Sequence, residues 1–475
     1  MPFAREINRL LLGVIVLFTV VVVAAYYWGV AGSASILSRP DNPRLVEARA
    51  NTLRGGIYDA SGVLLAETET GIRDSSGALA RTYHEPSMFS ALGYHNFRYG
   101  EGGIESAYNA LLNGTARASS VSERLTNALL HRPQIGNDIQ VTLDLRIQAA
   151  VYEALRGQRG AAVVIDVPTG RILALISLPD YDPNLLDTDW ETLIADPGNP
   201  FFNRALVGAY QPGSAFQTPL MSAALLTEQT LNTPIDGATT PVQLNGLTLS
   251  CALPLPPASL SLRDAYAFAC PSPFRDLTDS IGASTLMAAI ETLHLDRSPA
   301  LLDIFRTPAA GLATPTPTPA TSLNLIAEGL GQGSITVSPL MMAMMASAIV
   351  NDGNAPQPYL LLNQRLRGTT AWEAVSAVRP SLPMMTANTA RQLQDLMRNA
   401  VANGAAQNAG RPSLDIGGHA ALAYSGEQAL SWFVGFATLG GSSGAAVAIV
   451  LEGNADPGLA ADIGGTALAA VQESR

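Results

Sequence analysis

The stretch NRALVGAYQPGSAFQ, residues 203–217, decides the fold and contains one candidate nucleophile. Ser214 follows Gly213 and opens a helical stretch, so its hydroxyl is expected at a helix N-terminus, where the helix dipole favours developing negative charge. A serine before a helix is, however, more often an N-cap that satisfies an unpaired backbone amide. On this stretch alone, both interpretations of Ser214 stay open.

Two hydrophobic runs upstream of Ser214 predict a β-hairpin. The runs AAVVIDV (161–167) and RILALIS (171–177) are joined by Pro168, Thr169 and Gly170, which supply turn chemistry. Because the runs are almost continuously hydrophobic, we expect both faces of these strands to be covered.

The remaining pattern predicts an α+β architecture. Strand-like patterns return late in SWFVGFAT (431–438) and AAVAIVLE (445–452), and a helix is expected from Pro457 to Gln472. The middle of the chain, from about Leu185 to Met345, is typical of helices and loops. A sheet formed by an early hairpin and late strands, with a helical block inserted between them, is an α+β fold.

Seven segments share their order along the chain with one known family. They are RGGIYDASGVLLAET (54–68), YHEPSMFSALGYHNFRYGEGGIESAYNALLNG (83–114), GNDIQVTLDLRIQAA (136–150), GAAVVIDVPTGRILALISLPDYDPN (160–184), NRALVGAYQPGSAFQ (203–217), GLGQGSITVSPLMMAMMASAIVNDG (329–353) and SWFVGFA (431–437). In this order they resemble the penicillin-binding transpeptidases, particularly the single-pass class B group. The resemblance implies the penicillin-binding transpeptidase and serine β-lactamase-like fold, an antiparallel sheet with a helical subdomain, preceded by a small pedestal domain.

An uncharged run, LLLGVIVLFTVVVVAAYYWGV (10–30), predicts one transmembrane helix, since it is long enough to cross a bilayer. Arg5 and Arg9 precede the run and aromatic residues close it, which places the N-terminus in the cytoplasm and the bulk of the chain outside. A cleaved signal peptide remains the alternative.

These patterns divide the chain into four parts. We expect a cytoplasmic tail over residues 1–9, a transmembrane helix over 10–30, a non-catalytic pedestal domain over 40–137 and a penicillin-binding transpeptidase-like domain over 138–475.

The chain departs from the family at its first two active-site motifs. The first is Ser-x-x-Lys, whose lysine takes the proton of the serine, and Gln217 stands at the position of the lysine after Ser214. Glutamine has no basic site in the useful pH range. The second motif is Ser-x-Asn, and the best match has Ala269 and Pro271 at its two polar positions.

The third motif is also changed. Lys-Thr-Gly holds the carboxylate of the substrate or of penicillin in the family, and His419, Ala420 and Ala421 occupy these positions. By analogy with serine hydrolases, loss of the activating base lowers turnover by roughly 10⁴ to 10⁶-fold. We therefore expect no useful transpeptidation by the family mechanism.

Two further predictions concern the walls of the cleft. The imidazole of His419, with an ordinary pKa near 6.5, could accept the proton of Ser214 as an unconventional base. Gly331, Gln332 and Gly333 are expected to form a tight turn that shapes the cleft.

The amino-acid composition limits which side chains can transfer protons and which partners are expected. All 28 basic residues are arginine, and the sequence contains no lysine, so no amine side chain is available for proton transfer. The net charge of −11 argues against nucleic acid as a partner. Cys251 and Cys270 could form a disulfide in an oxidising compartment, or could be two buried free thiols. No pattern indicates a cofactor or a metal site.

Three functional hypotheses follow. The first is a catalytically degenerate penicillin-binding protein with a scaffold or regulatory role, in contact with cell-wall synthesis machinery such as a glycan-polymerising membrane protein. The second is an active serine D,D-transpeptidase that is acylated at Ser214 with the help of an unconventional base. The third is a module that binds a peptidoglycan stem peptide or a β-lactam noncovalently.

Overall fold

The structure is a computed structural model. It describes residues 3–28, 43–116, 134–226, 230–296, 301, 324–366, 368–375, 380–441 and 443–475.

The N-terminal helix stands apart from the rest of the chain. Helix α1 covers Ala4–Tyr26, and its segment Glu6–Tyr26 has a mean hydropathy of 2.5 and is 0% buried. It is long and apolar enough to cross a membrane. The helix begins before the predicted start at Leu10, and the predicted end at Val30 lies outside the described residues.

The other described helices are α2 Pro43–Ala50, α3 Phe89–Leu92, α4 Gly103–Ala107, α5 Asn109–Leu112, α6 Leu145–Leu155, α7 Leu186–Ala195, α8 Arg204–Val207, α9 Gln217–Ala224, α10 Leu262–Ala267, α11 Pro271–Thr292, α12 Leu325–Gly329, α13 Pro339–Val350, α14 Ala387–Asn403 and α15 Pro457–Glu473. The described strands are β1 Ile57–Tyr58, β2 Leu64–Arg73, β3 Leu79–Tyr83, β4 His95–Asn96, β5 Gly100–Glu101, β6 Asp138–Val141, β7 Gly160–Val167, β8 Ile172–Leu178, β9 Pro234–Ile235, β10 Val242–Leu244, β11 Leu247–Leu249, β12 Leu260–Ser261, β13 Asn354–Ala355, β14 Leu361–Arg365, β15 Glu373–Ala374, β16 Leu382–Pro383, β17 Asp415–Ser425, β18 Gln428–Thr438 and β19 Gly444–Glu452.

A five-stranded antiparallel sheet forms the centre of the larger domain, in the order β17-β18-β19-β7-β8. Alternate residues of β7 enter two different cores: Val163 packs with the methionine-rich helix α13, while Val164 packs with helices α6 and α15. Both faces of the sheet are therefore covered, as its hydrophobic strands predict. The expected α+β fold, with an early hairpin joined to late strands, is confirmed.

The pedestal has a second sheet, in the order β15-β14-β6-β1-β2-β3. Strands β14 and β15 come from beyond residue 360, and β14 pairs antiparallel with β6. Arg365 joins this hairpin to the pedestal, because its Nε donates to Asp138 at 2.8 Å and its guanidinium lies over the rings of Tyr58 and Trp372. The sheet thus crosses the boundary that the sequence places at residue 137.

A buried charge cluster lies in the pedestal core. The carboxylate of Glu105 is 0% exposed and accepts hydrogen bonds from Arg54 Nε at 2.6 Å, Arg81 Nε at 2.7 Å and the Tyr83 hydroxyl at 3.2 Å. Burial alone raises the pKa of Glu105, but Arg81 and Arg54 outweigh it and lower the pKa to about 2. Glu105 is therefore ionised in the folded protein near neutral pH.

Candidate active site

Ser214 lies at the start of a single 3-10 turn, Gly213–Phe216, that leads into helix α9. Gly213 has a φ of +52°, and its N–H donates to Gly331 O at 2.8 Å. A Cβ on Gly213 would lie 2.3 Å from Leu422 O, so only glycine allows the turn to approach strand β17 this closely. The half-buried Ser214 is thereby held between the segment Gly331–Gly333 and the edge of the central sheet.

The N-cap interpretation of Ser214 is wrong. The residues that precede the 3-10 turn and helix α9 are Pro212 and Phe216, and neither helix start has a side-chain cap. The Ser214 hydroxyl makes no hydrogen bond with any described residue. It remains a free alcohol beside the cleft.

Gln217 occupies the position of the first-motif lysine, one turn after Ser214. Its side chain is buried, and its Nε2 donates to Cys270 O at 3.3 Å. Its Oε1 is also buried and has no hydrogen-bond partner among the described residues. The carboxamide is therefore tied to the second motif, and it offers no basic nitrogen to Ser214.

The second-motif positions lie beside Gln217 but present no polar side chain. Ala269 and Cys270 form the bend between helices α10 and α11, and Pro271 is the first residue of α11. The structure joins Cys270 to Cys251 in a disulfide. The backbone of the motif is in place, whereas the groups that would relay a proton are absent from it.

His419 lies in the middle of strand β17, and its side chain contacts the backbone carbonyl of Ser214. Its Nε2 is 3.1 Å from Ser214 O. A carbonyl oxygen can only accept a hydrogen bond, so Nε2 carries the proton and Nδ1 carries the lone pair. The nitrogen that faces Ser214 is already protonated and cannot take the hydroxyl proton.

The surroundings of His419 keep its imidazole neutral. The ring is 0% exposed and stacks on Tyr266 with 4.2 Å between ring centroids. Burial lowers the pKa of His419 to about 4, and the Ser214 carbonyl opposes this shift only in part. Ala420 and Ala421, which follow it, are buried and apolar. No cation stands at the third motif near neutral pH.

The segment Gly331–Gly333 forms one wall of the cleft. Gly331 has a φ of +64°, and a Cβ there would lie 2.2 Å from Gly213 O. The buried carboxylate of Glu328 holds the end of the segment by accepting from the N–H and the hydroxyl of Ser334, both at 2.7 Å. These contacts fix the distance between the Gly331 turn and Ser214.

The structure also shows site residues that sequence reasoning missed. An open cleft of about 180 Å³ has Gln211, three residues before Ser214, in its wall together with Gln332 and the β10-β11 hairpin. The hairpin turn is Asn245-Gly246, with φ values of +49° and +85°. An Asn-Gly pair between two short apolar runs is a hairpin signal that the sequence does contain.

Comparison with known proteins supports the resemblance. The family Penicillin binding protein transpeptidase domain matches residues 160–469, and the family Penicillin binding protein A dimerisation domain matches residues 54–139. Peptidoglycan D,D-transpeptidase PbpA of Mycolicibacterium smegmatis is 30% identical over 380 residues, which are 75% of this chain and 74% of the relative. Peptidoglycan D,D-transpeptidase MrdA of Escherichia coli is 37% identical over 145 residues, which are 28% of this chain and 23% of the relative.

A solved structure agrees over most of the chain. It is penicillin-binding protein A from M. tuberculosis in an imipenem acyl-enzyme complex, with a TM-score of 0.76 and 28% identity, covering 89% of this chain and 99% of that one. The transpeptidase match alone covers more than half of the sequence. The chain therefore belongs to the class B penicillin-binding protein family, in which its dimerisation-type pedestal domain is followed along the sequence by its transpeptidase domain.

Proposed function

We propose that this chain is a catalytically inactive penicillin-binding protein that serves bacterial peptidoglycan synthesis as a scaffold or regulator. It is anchored by one N-terminal helix, with its N-terminus in the cytoplasm and its bulk outside. Its partners are other components of the cell-wall synthesis machinery, such as a glycan-polymerising membrane protein. The family membership supports the setting, and the state of the cleft supports the loss of catalysis.

The observation that carries the proposal is the bond between His419 Nε2 and Ser214 O. The only imidazole at the predicted third motif donates to the backbone of Ser214, and Gln217 donates to Cys270 O. With no lysine in the sequence, no group near Ser214 in the described part of the chain is arranged to remove its proton. Acylation by the family mechanism needs that removal.

Covalent labelling tests the loss of catalysis. The full-length chain in detergent is incubated with a fluorescent penicillin, denatured and separated on a gel, beside its Ser214→Ala variant. PbpA of Mycolicibacterium smegmatis is the positive control. We expect no label on either form of this chain after a time that labels the control completely. Label on the wild type that is lost from Ser214→Ala would rescue the hypothesis of an active enzyme.

A second experiment tests the scaffold role in cells of the source organism. The chromosomal copy is replaced by a Ser214→Ala allele or is deleted. We expect the Ser214→Ala cells to match wild type in growth and in wall synthesis, while the deletion shows a defect. A shared defect of both strains would contradict a role that is independent of the hydroxyl.

A further inference from the structure

A second pocket lies where the pedestal meets the transpeptidase domain, and none of its lining residues belongs to the three motifs. Its volume is about 170 Å³. Its walls come mainly from within residues 49–54, residues 74–81 of the β2-β3 hairpin, residues 95–97 and residues 183–187 at the start of helix α7. We call it the junction pocket.

Contacts between the two domains fix the shape of the junction pocket. The side chain of Asn184 pairs with both backbone groups of Tyr83, accepting from its N–H at 2.9 Å and donating to its carbonyl oxygen at 3.0 Å. Trp190 on helix α7 stacks on Tyr99 of the pedestal, with 4.1 Å between ring centroids. A ligand therefore finds the walls already in place, which lowers the entropic cost of binding.

The buried arginines behind the pocket are committed to the pedestal core. Arg54 and Arg81 both donate through Nε to the carboxylate of Glu105. The unpaired Arg81 Nη2 has no access to solvent. Recognition of a ligand therefore does not depend on either of these guanidinium groups.

Three other groups of the wall are available to a ligand. Arg49 is exposed, and its guanidinium makes no hydrogen bond or ion pair with any described residue. Asp74 Oδ1 accepts from Ser76 N–H at 2.9 Å and from Ala78 N–H at 3.0 Å. Asp74 Oδ2 has no hydrogen-bond partner among the described residues and is not shut off from solvent. The half-buried ring of Phe97 adds an apolar surface.

The charges of the pocket disfavour an ion of either sign. An anion that approaches Arg49 also meets the carboxylates of Asp74 and Asp187, and a cation that approaches these carboxylates meets Arg49. A hydroxyl group both donates and accepts, so different hydroxyls of one neutral molecule can bond to the guanidinium and to the carboxylate. A polyhydroxylated ligand with an apolar face matches all three available groups.

We propose that the junction pocket binds one uncharged sugar residue of a glycan strand. Arg49 donates to a hydroxyl of the sugar, Asp74 Oδ2 accepts from another, and the apolar face of the sugar ring packs on Phe97. The pocket thereby holds the protein on the polymer without chemistry. The inference rests on the proposed function, because peptidoglycan synthesis supplies the glycan, but it does not depend on the state of Ser214.

Isothermal titration of the full-length chain tests the binding. The detergent carries no sugar headgroup, since a glycoside headgroup would compete for the site. The probe is the trimer of N-acetylglucosamine, with maltotriose and inorganic phosphate as comparisons. We expect saturable binding of the N-acetylglucosamine trimer, at least about tenfold tighter than that of maltotriose or phosphate. No saturable binding of the trimer, equal affinity for maltotriose, or tighter binding of phosphate would overturn the inference.

Two variants locate the binding in the junction pocket. Arg49→Gln removes the free guanidinium, and Asp74→Asn replaces the free Oδ2 while keeping an acceptor for the Ser76 and Ala78 N–H groups. Each should weaken binding of the trimer by at least about fivefold. The matched controls are Arg391→Gln and Asp352→Asn, which change an exposed arginine and an exposed aspartate that lie 4.0 Å apart. Equal affinities for the pocket variants and the wild type would place the sugar elsewhere and contradict the proposal.

The outcome is independent of covalent chemistry at Ser214. If fluorescent penicillin labels the wild type while the trimer binds as expected, the proposed loss of catalysis fails and the sugar site stands. If labelling is absent and the trimer does not bind, the proposed loss of catalysis stands and the sugar site fails. Circular dichroism of each variant excludes unfolding as the cause of lost binding.

Discussion

The buried charge cluster of the pedestal and the cleft beside Ser214 differ in how their buried polar atoms are paired. In the pedestal, both oxygens of Glu105 accept hydrogen bonds, from Arg54 and from Arg81 and Tyr83. Around Ser214, Gln217 Oε1 and His419 Nδ1 are buried and have no partner in the described part of the chain. The first region pairs both oxygens of its carboxylate and leaves a donor, Arg81 Nη2, without a partner among the described residues, whereas the unpaired buried atoms around Ser214 are acceptors.

The unpaired atoms around Ser214 share one property. Gln211 Oε1, Gln217 Oε1 and, in the tautomer required by Ser214 O, His419 Nδ1 are all acceptors. A lysine ammonium would supply three donors to such surroundings, and this chain has no lysine. The cleft is thus short of hydrogen-bond donors, whereas the pedestal has two guanidinium groups around a single carboxylate. The comparison teaches that buried ionic groups lie where they support packing, whereas the motif positions around Ser214 carry no cation near neutral pH.

Removing the carboxylate of the pedestal should have the largest effect on stability. Glu105→Gln removes the shared countercharge of the buried Arg54 and Arg81 and leaves only Glu101, at 4.0 Å from Arg54, so we expect the free energy of unfolding to fall by roughly 3 to 5 kcal/mol. Urea denaturation at pH 7, followed by circular dichroism, measures the loss.

The matched control for this variant is Glu153→Gln, which removes the exposed ion pair with Arg156. We expect that change to stay within about 0.5 kcal/mol. Comparable losses for the two variants would show that the pedestal charges matter no more than surface charges, and the contrast drawn above would collapse.

Lowering the pH should reduce stability through the buried, neutral imidazole of His419. The pKa of His419 is lowered from 6.5 to about 4 by burial, so the folded protein binds this proton less readily than the unfolded chain does. Its contribution to stability is full above pH 6.5 and is lost as pH falls toward 4, by an amount on the order of 3 kcal/mol. Urea midpoints of the wild type between pH 7 and pH 4 measure this slope.

His419→Gln isolates the contribution of the imidazole. The glutamine amide can still donate to Ser214 O but does not titrate, so the variant should lose less stability than the wild type between pH 6.5 and pH 4. Glu105 overlaps this window only at its acid end, because Arg81 and Arg54 hold its pKa at about 2 and its contribution is lost as pH falls below about 4.5, equally in the wild type and in the variant. Parallel slopes for wild type and variant would mean that His419 is already protonated or exposed in the folded protein.

The sequence predicts the parts of this structure that depend on local pattern. The hairpin of β7 and β8, the late strands β18 and β19 and helix α15 follow from hydrophobic periodicity and turn residues. The order of the motifs predicts which residues stand near Ser214. Each of these signals lies within a few residues of the feature that it predicts.

Other features could not be predicted, since they depend on contacts between distant segments. Strand β14 has a half-buried, mixed sequence, and nothing in LLNQR indicates that it pairs with β6, more than 200 residues earlier. The 3-10 turn at Ser214 and the bond from His419 to the Ser214 carbonyl arise from the close approach of Gly213 to strand β17. A lone histidine gives no sequence signal for which nitrogen carries the proton.

The smallest effect is expected where a buried amide is already poorly paired. Gln217→Met loses the bond to Cys270 O but also removes the unpaired Oε1, so the two contributions oppose each other and the unfolding free energy should change by less than about 1 kcal/mol. Gln148 is the matched residue on helix α6, because it is also buried, donates to Ser87 O and Leu175 O, and accepts from Leu175 N–H. Gln148→Met leaves all three groups unpaired and should cost at least about 2 kcal/mol. If the two substitutions cost the same in urea denaturation, Gln217 must have partners in solution, such as water, and the cleft is better supplied with donors than its contacts indicate.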